Sequence, residues 1–167
     1  MHLYEKPANV FVAGFFGSPA MNFFRGILSR DGSLGIEGHA PLLLGDLATA
    51  HVDLASYPGR EIVVGLRPED LHLAADDAQA PGFLARLDYI EPIGNEVFLN
   101  LRFADRDLVA RLPPRPLPAP GSSVRMSFSP TRLNCFDATS GLRLPDGLSA
   151  SRVPGAPLQP PRADVPG

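Results

Sequence analysis

The strongest structural signal in this sequence is a pair of alternating apolar segments on either side of Gly94 and Asn95. After these two residues, apolar side chains occupy every second position: Val97, Leu99, Leu101 and Phe103. A strict period of two is typical of a β-strand with one buried face. Residues 83–90 alternate at most positions as well, and turn-forming residues 92–95 separate the two segments. The sequence therefore predicts a β-hairpin.

Short apolar segments recur along most of the chain. They cover residues 23–28, 34–36, 42–44, 60–64, 108–112, 124–128, 130–137 and 139–144. Turn residues separate them, for example Asp31-Gly32 and residues 105–107. A single helix is predicted between Pro7, which suits a first helical turn, and Gly17. About ten short strands and one short N-terminal helix predict an all-β fold, either a barrel or a pair of barrels.

The predicted helix is apolar on nearly every side. Its apolar residues are Ala8, Val10, Phe11, Ala13, Phe15 and Phe16. In so short a segment, this distribution predicts that the helix packs against more than one neighbour.

The segment 65–71, Gly-Leu-Arg-Pro-Glu-Asp-Leu, follows a β-branched strand at residues 60–64. Pro68 has no N–H donor and fixes its own φ, so the strand is predicted to end here. Arg67 and Glu69 place opposite charges on either side of this proline. The pattern favours a strand end with a solvated ion pair. The alternative is that one or both side chains bond to a neighbouring element.

The sequence lacks the residues that several kinds of binding and catalytic site require. Lys6 is the only lysine, so there is no phosphate-binding P-loop, and no Gly-x-Gly pair supports a dinucleotide site. Cys135 is the only cysteine, which excludes an internal disulfide and predicts a buried thiol in a strand. Glu91 and Glu96 flank the hairpin turn and could form the carboxylate pair that a glycosidase needs. Acidic residues on either side of a hairpin turn often lie close together by chance, so this pair does not indicate catalysis. The four histidines lie far apart. No catalytic, cofactor-binding or metal-binding residue is predicted.

The net charge and the distribution of the basic residues limit the kinds of partner that the chain can bind. The net charge is -3, and the arginines are scattered singly along the chain. Nucleic acid and anionic lipid both require a concentrated positive field, so neither is expected as a direct partner. No apolar segment is long enough to span a bilayer. Residues 10–16 lack the positive flank of a secretion signal.

Two segments are rich in proline. Residues 145–167 contain little that a core could bury, and a disordered tail is predicted there. Residues 113–121 have the composition of a polyproline ligand. Because they lie between two predicted strands, a stiff connecting loop is the favoured interpretation.

Four segments carry a family resemblance, in one order along the chain. They are residues 3–24, which include Pro-Ala-Asn-Val-Phe-Val-Ala-Gly-Phe-Phe-Gly-Ser-Pro, residues 65–69 (Gly-Leu-Arg-Pro-Glu), residues 90–96 (Ile-Glu-Pro-Ile-Gly-Asn-Glu) and residues 129–137 (Ser-Pro-Thr-Arg-Leu-Asn-Cys-Phe-Asp). Together they closely resemble the region after the nucleotide-binding domain in ATPase subunits of maltose- and glycerol-3-phosphate-type ABC importers. The resemblance implies a regulatory domain of the transport-associated oligonucleotide/oligosaccharide-binding (TOBE) type, built as small OB-like β-barrels.

In the family that this chain resembles, the regulatory domain dimerises with its twin and couples regulatory proteins to the ATPase. The resemblance therefore implies three partners: an ATPase domain or subunit, a second copy of the chain, and a regulatory protein. It implies a cytoplasmic location, at the membrane only through the transporter. The Walker motifs, the signature loop and the catalytic glutamate of the family are absent, so ATP hydrolysis is not implied. A truncated gene, a split subunit and a dissected domain all remain open.

The resemblance divides the chain into a helix and hinge (1–22), a TOBE/OB-like barrel domain (23–144) and the tail (145–167). The candidate hinge residues against an ATPase domain are Gly17, Ser18, Pro19, Met21 and Asn22. The residues expected to organise barrel ends and an inter-subunit or regulator surface are Arg67, Pro68, Glu69, Gly94, Asn95 and Glu96. For the glycines and prolines, turn geometry alone is an equally good explanation. A rival hypothesis is a small barrel that binds an oxyanion or a sugar, since related barrels bind molybdate.

Overall fold

The computed structural model describes residues 6–47, 50, 52–75 and 80–147. Ten strands run through these residues. In chain order they are β1 (Asn22–Leu28), β2 (Ser33–Gly35), β3 (Leu42–Leu43), β4 (Glu61–Leu66), β5 (His72–Leu73), β6 (Gly82–Ile93), β7 (Glu96–Phe103), β8 (Arg106–Leu112), β9 (Ser123–Ser127) and β10 (Asn134–Asp137). The helices are α1 (Val10–Phe15) and the single 3-10 turns Leu54–Ser56, Pro68–Asp70 and Pro130–Arg132.

The strands form one curled, half-barrel sheet. Its path runs β10–β4–β1–β2–β3–β6–β7–β8, and β9 joins from the side by pairing with both β5 and β6. All pairings between these strands are antiparallel. A twisted sheet of this many strands curls on itself because twist accumulates from strand to strand. The prediction of an all-β fold with one short N-terminal helix is confirmed.

One main hydrophobic core fills the inside of the curled sheet. Alternate residues of β7 face it: Val97, Leu99, Leu101 and Phe103 are all buried. These are the residues whose period of two predicted the strand. The rings of Phe24, Phe83 and Phe103 meet in this core, with centroids 4.8–5.9 Å apart. Such ring pairs add to the stabilisation that burial of their area provides.

The predicted hairpin is present, with a tighter turn than expected. Pro92 pairs with Val97 and Ile93 with Glu96, so β6 continues to Ile93 and only Gly94 and Asn95 form the turn. The predicted turn over residues 92–95 was wrong for its first two residues. A two-residue turn needs a positive φ, and Gly94 supplies it with a φ of 59°.

The next turn is also displaced from its predicted position. Ala104 and Asp105 both have positive φ, 49° and 58°, and Phe103 pairs with Arg106 across them. The turn therefore precedes Arg106, and the prediction of a turn at residues 105–107 was right for Asp105 and wrong for Arg106 and Asp107. Two successive positive φ values make the turn compatible with strand twist.

The helix is shorter than its predicted range. Asn9 precedes α1, and its side chain accepts a 2.8 Å hydrogen bond from the N–H of Val12. The carbonyl of Ala8 accepts from the N–H of Arg143 at 2.9 Å. Asn9 is extended and pairs with Leu142, so residues 7–9 lie outside the helix that the sequence predicted from Pro7.

The first residues of the predicted disordered tail contact the barrel domain. Pro145 accepts a 3.2 Å hydrogen bond from the N–H of Asp53, and Asp146 pairs with Val52. Residues 148–167, the remainder of the predicted tail, lie outside the described residues.

The side chain of Asn22 connects the start of β1 to the middle of β8. Its Nδ2 donates to the carbonyl of Val109 at 2.9 Å and to that of Leu66 at 3.1 Å. Its Oδ1 accepts from the N–H of Val109 at 2.9 Å. Because β8 ends the path of the sheet, this carboxamide supplies to β8 the donor and acceptor that another strand would supply.

We predict that Asn22→Ala lowers the free energy of unfolding by about 2 kcal/mol, because it leaves backbone groups of Val109 and Leu66 without their partner. Urea denaturation followed by far-UV circular dichroism measures this loss. Asn100→Ala is the matched control, since Nδ2 of Asn100 is buried without a hydrogen bond. An equal loss in the two variants would contradict the role given to Asn22.

Cys135 provides a second test of the fold. It lies in β10 with its side chain fully buried, and burial raises the pKa of the thiol to about 12. This confirms the predicted buried thiol. Because the thiolate is the reactive species, we predict that alkylation by iodoacetamide at pH 8 is at least about a hundredfold slower in the native protein than in urea. Mass spectrometry follows the reaction, and similar rates in both conditions would contradict the burial.

Candidate protein-interaction surface

Helix α1 lies on the outer face of the strands β1, β4 and β10. Ala13 and Met21 are buried there against Val63 of β4 and Phe136 of β10. Phe23 of β1 packs against the same cluster, and its ring lies 6.4 Å from that of Phe136. These three strands therefore bury apolar residues on both faces: one in the main core and one under the helix.

The absence of a side chain at Gly65 helps the segment that follows the helix to fit closely. A Cβ at this position of β4 would collide with Sδ of Met21 and would lie 3.3 Å from Cε1 of Phe23. Gly65, at the start of the Gly-Leu-Arg-Pro-Glu-Asp-Leu segment, thus admits Met21 onto the outer face of the sheet.

The opposite side of α1 presents three phenylalanines to solvent. Phe11 is 77% exposed, Phe15 is 73% exposed and Phe16, which ends the helix, is 44% exposed. The rings of Phe11 and Phe15 stack at 6.1 Å, and Phe16 meets Phe15 edge-on at 5.8 Å. We call these three residues the aromatic face of α1. Contiguous exposed apolar side chains of this size mark an interaction site.

The five predicted hinge residues divide into two groups. Gly17 and Ser18 are exposed and Pro19 is half-buried, with a φ of 109° at Gly17. Met21 and Asn22 are buried, Met21 under the helix and Asn22 against β8. The exposed turn therefore joins α1 to a firmly held start of β1.

A cleft of about 450 Å³ opens beside this turn. Its lining residues are Pro19, Ala20, Met21, Asn22, Phe23, Arg106, Asp107, Leu108 and Val109. Pro19 is the lining residue that follows the aromatic face most closely in sequence, three residues after Phe16.

The Gly-Leu-Arg-Pro-Glu-Asp-Leu segment forms a corner after β4. Arg67 and Pro68 are buried, and Pro68 begins a 3-10 turn, as its fixed φ permits. The guanidinium of Arg67 lies 4.0 Å from Oδ2 of Asp70, and that of Arg132 lies 3.7 Å from Oδ1. Burial raises the pKa of the Asp70 carboxyl, and both arginines oppose this shift. The sequence predicted a solvated ion pair of Arg67 and Glu69. This was wrong for Arg67, which is buried and lies beside Asp70.

The predicted residues Gly94, Asn95 and Glu96 lie at the tip of the β6–β7 hairpin. Gly94 and Asn95 are exposed, while Glu96 is half-buried. Oε1 of Glu96 lies 3.3 Å from Nε of Arg111 on β8. The hairpin tip is thus joined to β8 near Leu112, whereas the corner at Leu66 is joined to β8 at Val109 through Asn22.

The apolar pattern of the helix predicted more than one neighbour. Among the described residues the sheet covers one side of α1, and a second neighbour stays a prediction. The pattern did not indicate which side would be exposed, so Phe11, Phe15 and Phe16 are not among the predicted site residues. Nothing in the sequence pattern singled out the contact of Asn22 with Val109, because the two residues are 87 positions apart.

Two further findings concern the described residues. Within these ranges, no three His, Cys, Asp or Glu side chains come together as metal ligands. None of the helices described has the length and apolar character needed to cross a membrane.

Family models match two consecutive parts of the chain. The MalK OB fold domain matches residues 17–71, and the TOBE domain matches residues 64–136. The two matches overlap at residues 64–71, the end of β4 and the corner that follows it.

The chain is also similar to curated ATP-binding proteins of importers. It is 40% identical over 143 residues to the sn-glycerol-3-phosphate import ATP-binding protein UgpC of Burkholderia cenocepacia, covering 84% of this chain and 38% of that protein. It is 32% identical over 145 residues to the oligosaccharides import ATP-binding protein MsmX of Bacillus subtilis, covering 85% and 39%. It is 30% identical over 138 residues to the sulfoquinovosyl glycerol transport ATP-binding protein SmoE of Agrobacterium fabrum, covering 83% and 37%.

Among solved structures, the chain is similar to the cytoplasmic molybdate-binding protein ModG, with a TM-score of 0.47 and 15% sequence identity over 68% of this chain and 94% of that one.

The chain spans less than two fifths of the length of the three importer proteins. Residues 17–136 belong to the MalK OB fold and TOBE domain families, and the chain is a homologue of the C-terminal region of sugar and glycerol-3-phosphate ABC importer ATPases.

Proposed function

We propose that this chain is a non-catalytic regulatory and dimerisation module of the ATP-binding subunit of an ABC importer for sugars or glycerol-3-phosphate. It contributes to transport through protein contacts, and it reaches the cytoplasmic face of the membrane only through the transporter. The observation that supports this proposal most strongly is the aromatic face of α1.

An ATPase domain is the occupant that we propose for the aromatic face. Ala13 holds the other side of α1 against the sheet, so Phe11 and Phe15 cannot turn inwards without unpacking the helix. Aromatic side chains are enriched in the cores of protein interfaces. The importer proteins that this chain resembles are ATP-binding proteins, and more than half of their length lies outside the region that it matches.

The exposed turn at Gly17, Ser18 and Pro19 then serves as the connection between an ATPase domain and the sheet. Met21 and Asn22 anchor its far side. A displacement of α1 is passed to β1 and β4, since the helix packs on both. Glu69, Gly94, Asn95 and Glu96 remain proposed surface residues for a second copy or a regulatory protein.

The rival function, binding of an oxyanion or a sugar, has less support in the described residues. An oxyanion site needs several convergent hydrogen-bond donors or cations. Arg106 is the one cationic side chain that lines the cleft, beside Asp107, and the carboxamide of Asn22 is already bonded to β8. Calorimetry with molybdate, sulfate and maltose tests this rival, and binding heat with any of them would favour it.

We predict that the double variant Phe11→Ser/Phe15→Ser loses most of its affinity for an ATPase domain. The partner for this experiment is the part of the Burkholderia cenocepacia UgpC protein that this chain does not match, expressed separately. Truncating an aromatic residue at an interface centre costs about 2 kcal/mol or more, so we expect at least about a thirtyfold weaker complex. Isothermal titration calorimetry measures the affinity.

Leu84→Ser is the matched control for this experiment, because Leu84 is also exposed but lies on β6. Both variants should unfold at the same urea concentration as the unmodified chain. Equal affinities of the control and the double variant, or no complex with the unmodified chain, would contradict docking through the aromatic face.

We further predict that the chain self-associates through the outer face of the β6–β7 hairpin. Tyr89 and Ile93 are about half exposed there, beside the tip residues Gly94 and Asn95. Sedimentation equilibrium should show the mass rising from one chain towards two as concentration increases. Ile93→Asp should remain monomeric, while Leu84→Asp, on the same strand before the irregularity at Leu87 and Tyr89, should not. A monomer at every concentration would refute dimerisation.

A further inference from the structure

The last described residues run beside the segment that precedes α1. The N–H of Val10 donates to the carbonyl of Gly141 at 2.9 Å, and Asn9 pairs with Leu142. Farther along, Nζ of Lys6 lies 2.6 Å from Oδ2 of Asp146. Residue 148 therefore follows a segment that is antiparallel to residues 6–10 and whose last contacts are with Lys6 and Val52.

The part of the chain after residue 147 is long enough to reach the aromatic face. It has twenty residues, 148–167. In the extended polyproline II conformation these would span roughly 60 Å. Helix α1 has six residues and is about 9 Å long. The reach is therefore ample even when only part of this end is extended.

The sequence of this end has the pattern of a polyproline ligand. Pro154, Pro157 and Pro160 are spaced three residues apart, in Pro-Gly-Ala-Pro-Leu-Gln-Pro. Polyproline II has three residues per turn, so these three prolines share one edge of such a helix. Pro161 lies off that edge. Proline-rich segments of this kind dock on surfaces lined by aromatic rings, because the preformed helix loses little entropy on binding.

We propose that the segment 154–160 docks on the aromatic face of α1 within the same chain. The edge that carries Pro154, Pro157 and Pro160 packs against the rings of Phe11, Phe15 and Phe16. The chain thereby covers its own exposed aromatic surface. If an ATPase domain uses this surface, as the proposed function requires, the segment competes with it; the docking itself does not depend on that function.

A spin label tests this docking in the full chain without any ATPase domain. Ser151→Cys provides the attachment site, since Cys135 is buried and its thiol has a raised pKa. We expect the nitroxide to broaden the nuclear magnetic resonance signals of residues in α1. Adding Pro154→Ala, Pro157→Ala and Pro160→Ala should remove this broadening, and so should Phe11→Ser with Phe15→Ser. Pro161→Ala with Pro166→Ala is the control and should leave it unchanged.

Several outcomes would overturn the proposal. One is that the signals of α1 are not broadened, and another is that the signals of all described strands are broadened equally. A third is that the broadening in α1 remains when the prolines or the phenylalanines are replaced. A mixture of isotope-labelled chain with separately spin-labelled chain identifies another occupant: broadening in that mixture means that a second copy covers the face. Failure of the ATPase-domain titration, with intramolecular broadening retained, would overturn the docking function and leave this inference intact.

Discussion

The carboxamide of Asn22 is the contact that joins β8, at one end of the curled sheet, to β1 and β4. The sheet begins at β10 and ends at β8, and the backbone of β8 needs partners on its outer side. Asn22 satisfies Val109 on β8 and Leu66 on β4 with a single side chain. The last strand of the path is thereby bonded to β1 and β4, although no ladder pairs β8 with either of them. The cleft beside Pro19 and the corner at Arg67 both lie at this junction.

A second constraint comes from the two-sided burial of β1, β4 and β10. Ile62 and Val64 of β4 face the main core, while Val63 between them lies under the helix. This packing fixes which side of α1 is hidden. The phenylalanines left on the other side remain exposed because the sheet already occupies the inner side of the helix. Because Ala13 packs against the sheet, these phenylalanines stay exposed as long as α1 remains packed on the sheet.

The two family matches overlap at a strand that pairs with both an early and a late part of the chain. Residues 64–71 are shared by the MalK OB fold and TOBE matches, and they contain the end of β4 and the buried corner at Arg67. β4 pairs with β1 on one side and with β10 on the other, so it joins an early and a late part of the chain. Residues of both matches therefore contribute to the main core.

The sequence by itself determined the elements whose signal is local. The alternation at Val97 and Leu99 predicted a strand with its buried face, and the solitary Cys135 predicted a buried thiol. Resemblance of short motifs, together with the missing P-loop, indicated a regulatory module of an importer ATPase. Only the tertiary structure decided that Asn22 bonds to Val109, that Arg67 is buried and that Phe11 and Phe15 are exposed. Those outcomes depend on which distant strand lies beside a residue, and the order of strands in a sheet is set by packing of the whole chain, which no local pattern of polar and apolar residues encodes.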